Sequence, residues 1–591
     1  MSRHECTAAI ALALTCWCLA GTSVAAADRP WHRAQSQNFI LVGSAEERDL
    51  RRAAQDLEAL HAALSSIYPG LEPTVPTWVV ILEDEREFAR FLPRDDRGRP
   101  HPNVGGYFLP DPDVNYIVFG DYRSEYGRRV VLHEYAHSVL RRGARRPPMW
   151  LNEGLADFYS TFERNPKIAP AILGRPPADL LRALRSQQFI PLERIITAKS
   201  TEAPWEDGAR VGMFYAESWA LVHYLAVERK CASTGQIAAY LAALDRATAP
   251  AQAFEEAFGE SIAEVDVKLR SYIRRPEYEG IAVKPGIVPT TPPVAVPMSG
   301  AEVDWLEGDL LLRVGTVDEA DARLSAAVAL DPSNVDARVA LARVELVSGR
   351  RAHGVAALRE IAAANPLNFA AQYYLGVALA EGRQYYEAFA AYENAVLLRG
   401  DSSAALFAFS TVALALGLDD AAEASLDRAM QIEFNPVSYR DRAYSAFAFG
   451  RDRAAAADAE RYIKAVGLHD PSAQTVAIVA AIACRRARRP ANAEALLDQI
   501  RAVAPSSSWN AAVVEFLQGR ISEDRLLSLA KDQAQRTAAH TYIGLNDAVE
   551  GRTSDALQHF RWVRDQGAKE EIDYGIAIEE LIRFEMPERK Y

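Results

Sequence analysis

The sequence predicts an α+β domain followed by an all-α solenoid of repeats. Between residues 28 and 275, short β-branched and aromatic runs surround one helical pattern and then give way to helices alone. From 276 to 298, prolines at 276, 285, 289, 292, 293 and 297 forbid a regular helix and mark an extended linker. From 299 to 591, glycines recur at 33 to 35 residue spacings between alanine-rich amphipathic stretches. A chain of 591 residues is too long for a single core, which agrees with this division.

Residues 1–27 read as a secretory signal: Arg3 and His4 precede an apolar stretch over 7–20, and Ala25-Ala26-Ala27 offers small residues for cleavage. The alternative is an uncleaved anchor. The expectation is an exported protein, periplasmic or secreted and of bacterial type, with no stable membrane span after cleavage. Three of the five cysteines leave with the signal, and Cys231 and Cys484 are expected as buried free thiols. The net charge is −13 and no run of five basic residues occurs, which argues against a nucleic-acid partner.

Within 28–275 the elements follow in order. Residues 39–42 form an apolar strand candidate, and Ser44 with Glu47 has the spacing of a capping box. Leu50, Leu57, Leu60, Leu64 and Ile67 continue at helical spacing, and Gly70 is placed to end that helix. Residues 78–82, 107–108 and 116–119 read as strands, the last two around the turn signal Asp111-Pro112-Asp113. From about 124 the pattern is helical.

In the third region Gly315, Gly349, Gly382, Gly417 and Gly450 hold the period. One unit carries Leu375-Gly376, then Ala388, Tyr392 and Ala395, then Gly400. This resembles the tetratricopeptide repeat, whose small and large residues let two antiparallel helices pack closely. The resemblance implies a protein partner bound through the repeats, and the region is expected to fold apart from the domain before it.

His133-Glu134-Tyr135-Ala136-His137 is an HExxH in an apolar helical context. Residues four apart on a helix lie one turn above each other, so His133 and His137 can grip one ion from one face while Glu134 reaches a water bound there. A chance HExxH arises on the order of once in 100 such chains. The next segment decides the matter. Trp150-Leu151-Asn152-Glu153-Gly154-Leu155-Ala156-Asp157 places two carboxylates four apart on a face separate from Leu151, Leu155 and Phe158. A catalytic Zn²⁺ needs three protein ligands and one open position, and His133, His137 and Glu153 supply that set. Asp157, one turn beyond, can fix the tautomer of a ligating imidazole.

The two motifs together resemble the gluzincin clan of zinc metallopeptidases, with the Trp-Leu-Asn-Glu-Gly-Leu-Ala string similar to the third-ligand motif of the M1 aminopeptidases. The spacing of 15 residues between His137 and Glu153 departs from M1, and no Gly-Ala-Met-Glu-Asn string occurs. The arrangement is nearer to the peptidase MA-like bacterial proteins. Phe214-Tyr215-Ala216-Glu217-Ser218-Trp219 and Phe258-Gly259-Glu260-Ser261-Ile262 resemble strings of that group. The resemblance implies a zincin-like α+β fold, Zn²⁺ on His133, His137 and Glu153, and Glu134 as the base acting on a zinc-bound water. It also implies peptide-bond hydrolysis of a peptide or protein substrate, which pairs with an edge strand just before the HExxH helix; residues 115–119 are the candidate. Tyr215 and His223 are candidates for the oxyanion donor, each with a plain core role as the alternative. His32, His61 and His101 have no partner at ligand spacing and are assigned to the surface. The competing reading is a non-catalytic interaction scaffold whose zincin domain is structural or inactive.

Overall fold

The computed structural model describes residues 30–586, apart from 69, 72–74, 95–98, 100–104, 142–146, 166–167, 187, 199–207, 246–248 and 284–290. The signal reading of 1–27 and the placement of His101 lie outside the described residues.

The first half is built on a sheet. Its early strands are β1 (His32–Gln35), β2 (Phe39–Gly43), β3 (Thr77–Leu82), β4 (Gly106–Leu109) and β5 (Asn115–Gly120). A sixth strand comes from inside the proline-rich linker, at Ala295–Pro297. The order is β4-β5-β3-β2-β1 and then Ala295–Pro297. β2, β3 and β5 are parallel, while β4, β1 and the last strand run antiparallel to their neighbours. The strand over 115–119 is therefore interior, and the edge beside it is β4. A second, three-stranded sheet takes another piece of the linker, Ile281–Val283.

Alternation along the strands buries both faces of the larger sheet. Phe39, Leu41, Val79, Ile81, Ile117 and Phe119 face the helices of the first half, α1 (Glu47–Ser65) and α2 (Glu125–Leu140) among them. Val42, Val80, Tyr116 and Val118 point the other way and share a core with Leu306, Leu310, Leu311 and Leu324 of the first repeat. The repeats thus cover the second face of the sheet, and the two halves of the chain share a core.

Other local expectations change as well. The helical pattern expected from 124 is broken by strands at Glu163–Asn165 and Ile168–Leu173, and His32 is half-buried rather than on the surface. Ser44 does not cap α1; Glu46 holds that position without a side-chain bond. The Ser44 hydroxyl instead donates to Glu87 and accepts from the Glu83 N–H at 3.0 Å, tying two loops together. α1 stops at Ser65, short of Gly70. His61 is half-buried rather than on the surface, with Nδ1 2.6 Å from the Tyr135 hydroxyl.

From Gly300 on the chain is a tetratricopeptide-like helical-repeat solenoid. Antiparallel pairs run from Gly300–Arg313 with Val317–Leu330 through Gln533–Val549 with Thr553–Gln566, and Ile572–Glu585 follows. The periodic glycines mark the turns inside the pairs. Gly315, Gly349, Gly417 and Gly450 take φ between 73° and 86°, where a side chain is strained. At the third turn the left-handed residue is Arg383, φ 59°, and Gly382 stays at −79°. Cys231 and Cys484 are buried and free. No described helix is long and apolar enough to cross a membrane.

Candidate metal centre

α2 leaves the sheet directly after β5. The Ser124 hydroxyl caps it by accepting the Gly127 N–H at 2.9 Å. Val131, Leu132, Tyr135, Ala136, Val139 and Leu140 turn inward and anchor the helix, which leaves His133, Glu134 and His137 on its half-open side. The next helix, α3 (Met149–Ser160), packs beside it and brings Glu153 to the same place. α3 in turn lies close on α4 (Gly208–His223) because residue 154 is glycine: a Cβ there would collide with the Ser218 carbonyl and the Val222 side chain.

The two histidine Nε2 atoms stand 2.9 Å apart, and Glu153 Oε2 is 3.5 Å from that of His133 and 3.3 Å from that of His137. Ligands ~2.0–2.1 Å from a tetrahedral ion lie ~3.3–3.4 Å from one another. The two sides to Glu153 match that spacing, and the side between the histidines is shorter, so the rings would part slightly to admit an ion. Among the described residues the group numbers three, and its side chains keep 14% to 17% of their surface open, which leaves room for a further ligand.

The outer nitrogens have neighbours as well. His133 Nδ1 lies 2.9 Å from Asp157 Oδ1, so Nδ1–H donates to the carboxylate and Nε2 is turned inward. The Asn152 side-chain nitrogen stands 3.1 Å from His137 Nδ1 and 3.4 Å from Glu153 Oε1, so this amide lies behind the second ring and donates to the carboxylate. The sequence pointed to Asp157 for this task and not to Asn152 beside His137, whose place directly before the candidate ligand Glu153 was the available signal.

Burial disfavours an imidazolium at His133, but Asp157, with Glu153 and Glu134 behind it, outweighs burial and holds the ring well above the usual histidine range. The same negative field favours a divalent cation between the rings. Burial would also raise Glu153, yet its bonds to His133 and His137 hold it well below the ordinary carboxylate range, so it stays an anion. Burial raises Glu134, offset in part by the two histidines and by a backbone hydrogen bond from Phe108 on the edge strand β4.

Tyr215, on α4, reaches this group: its ring centroid is 6.4 Å from that of His133. Burial, then Glu153, Asp157 and Glu134, raises its phenol, which therefore keeps its proton as a donor. His223 does not reach it. The ring is fully buried, with Nδ1 2.9 Å from the Tyr272 hydroxyl, and packs on Phe158, Trp219 and Tyr278. Burial pushes it down to about 4. The structure thus withdraws His223 from the candidate catalytic set, as a neutral core residue.

No protein-family model matches the chain. No curated protein matches it. Among solved structures, part of the chain is similar to a tetratricopeptide repeat protein from Parabacteroides merdae, at 12% identity over 47% of this chain and 98% of that one, TM-score 0.33. It is similar to pilF of Pseudomonas aeruginosa at 17% identity over 38% and 98%, TM-score 0.29. A thermophilic TPR protein of Thermus thermophilus shows 22% identity over 28% and 90%, TM-score 0.25. The repeat character of the second half rests on the helix pairs themselves.

Proposed function

We propose that this chain is an exported zinc-dependent hydrolase of the peptidase type, similar to the gluzincins, whose helical repeats bind protein. One observation carries the reading: three ligand atoms gathered within 4.8 Å of one another, with an additional half-buried carboxylate, Glu134, on the same helix as two of them. A purely structural site has no use for that fourth group. Zn²⁺ held by His133, His137 and Glu153 supplies a Lewis acid that polarises a carbonyl and lowers the pKa of water. Glu134 takes a proton from the attacking water and returns it to the leaving nitrogen. The Tyr215 hydroxyl donates to the oxygen on which charge develops. The free edge of β4 holds an extended chain by main-chain pairing, which selects peptide shape over side chains.

The competing reading is a scaffold in which the repeats bind and the metal only stabilises; the extent of the solenoid, from Gly300 to Glu585, favours it. Glu134→Gln separates the two. It keeps size and helix propensity, so zinc content and thermal stability should stay near wild type while hydrolysis of a mixed-peptide library falls at least ~10²-fold. His133→Ala should lose both zinc and activity. Hydrolysis left intact in Glu134→Gln would end this mechanism. A wild-type protein that cleaves nothing, with partner capture equal in both forms, would favour the scaffold.

A further inference from the structure

The turn between β4 and β5, Asp111-Pro112-Asp113, does not end in solvent. The first helices of successive repeats pack side by side, and three of them hold it. From Gly300–Arg313, the Arg313 guanidinium pairs with Asp111 and lies 3.2 Å from both Asp113 oxygens. From Phe369–Glu381, the Tyr374 hydroxyl donates to Asp111 at 2.6 Å or to Asp113 at 2.9 Å. From Val335–Val347, Arg343 stacks on the Tyr374 ring at 4.0 Å. Arg399, following the second helix of the third repeat, donates to the Asp113 carbonyl at 2.8 Å. Beneath them, Asp309 accepts from Arg313 and from the Tyr116 hydroxyl on β5, each at 2.8 Å. At the other end of the site, Arg141, which caps α2, lies over the Phe108 ring and pairs with Glu433 of the repeats at 3.1 Å.

A buried ionic network is a poor way to glue two surfaces. Desolvation cancels most of its attraction, and the leucine core beside it already supplies the adhesion. Such a network does fix register, because each carboxylate has one place where its partners converge. Here the carboxylates sit at the tip of the hairpin whose outer strand is β4, and β4 is both the edge of the described sheet and packed against α2, the helix that carries His133, Glu134 and His137.

We propose that the repeats position the candidate site through this grip: Arg313, Tyr374 and Arg399 are positioning residues that hold the edge strand β4 in place against α2, and the first three repeats take the chain's own acidic turn as their ligand. The consequence for catalysis rests on the hydrolase reading; the grip itself does not. The test uses the full chain and reads amide hydrogen exchange over 106–109, with 77–82 in the central strand as the internal control. Tyr374→Phe with Arg399→Gln should speed exchange over 106–109 about tenfold, leave 77–82 unchanged and leave zinc content unchanged. For a peptide that wild type cleaves, KM should rise about fivefold with kcat within about twofold, since the loosened edge binds the extended chain less well. Tyr374→Phe alone removes the shared hydroxyl and leaves every charge in place, so it carries the exchange test if the double variant does not fold. Unchanged exchange over 106–109 in a folded variant overturns the proposal, and so does a rise that 77–82 shares equally. If wild type cleaves no peptide, the hydrolase reading fails while the exchange comparison still decides this one.

Discussion

His133 and His137 each turn Nε2 to the shared gap, with Nδ1 of His133 donating to Asp157 and Nδ1 of His137 beside the Asn152 amide nitrogen. The tie to Asp157 holds the His133 ring in place and saves the entropy of orienting it. Asp157→Asn should therefore weaken zinc by about 10 to 100-fold, measured by competition with a chelator, with the fold unchanged by circular dichroism. An affinity equal to wild type would remove Asp157 from this role. HExxH and the Glu153–Asp157 pair were legible in the sequence because helical spacing alone puts residues four apart on one face. Tyr215 and His223 were not separable in that way. They share one helix and differ by eight residues, ~12 Å along the axis, so both cannot serve one atom. Which of them meets the metal group depends on where the neighbouring helix crosses, and no local pattern carries that.

The crossing itself depends on Gly154. α3 and α4 approach until there is no space for a methyl group between residue 154 and the Ser218 carbonyl. Gly154→Ala must push the helices apart or bend one, at a cost of roughly 1–3 kcal/mol. Because Glu153 is the adjacent residue, the same change should lower zinc affinity. Denaturant unfolding and metal titration together test this, and a variant with unaltered stability would contradict the close packing. The strands over 39–42, 78–82, 107–108 and 116–119 were legible from their β-branched and aromatic runs. The strands at Ile281–Val283 and Ala295–Pro297 were not. Each has three residues in a proline-rich stretch, and the partner of Ala295–Pro297, His32–Gln35, lies at the far end of the domain. For the same reason the sequence does not show that 115–119 is interior: pairing order is a property of the sheet, and the strand that covers it is the short one just before it.

For the whole molecule, the shift in composition at 298 marks a change of architecture and not a boundary in packing. Val42, Val80 and Val118 meet Leu306, Leu310 and Leu311 in one core, so cutting the chain there bares apolar surface on both pieces. A fragment of residues 30–298 and a fragment of residues 299–591 should each aggregate or melt well below the full chain, and co-expression should recover a soluble pair. Two fragments that each keep the stability of the intact protein would show that the shared core contributes little.

That core also sets a schedule. Gly120 completes the central strands, yet the leucines that cover their rear arrive about 190 residues later, which at ~5–20 residues per second is roughly 10–40 s of synthesis. Throughout that interval any sheet that forms offers a bare apolar face to its neighbours on other ribosomes. Until those leucines arrive, that face has no partner in the part of the chain already made.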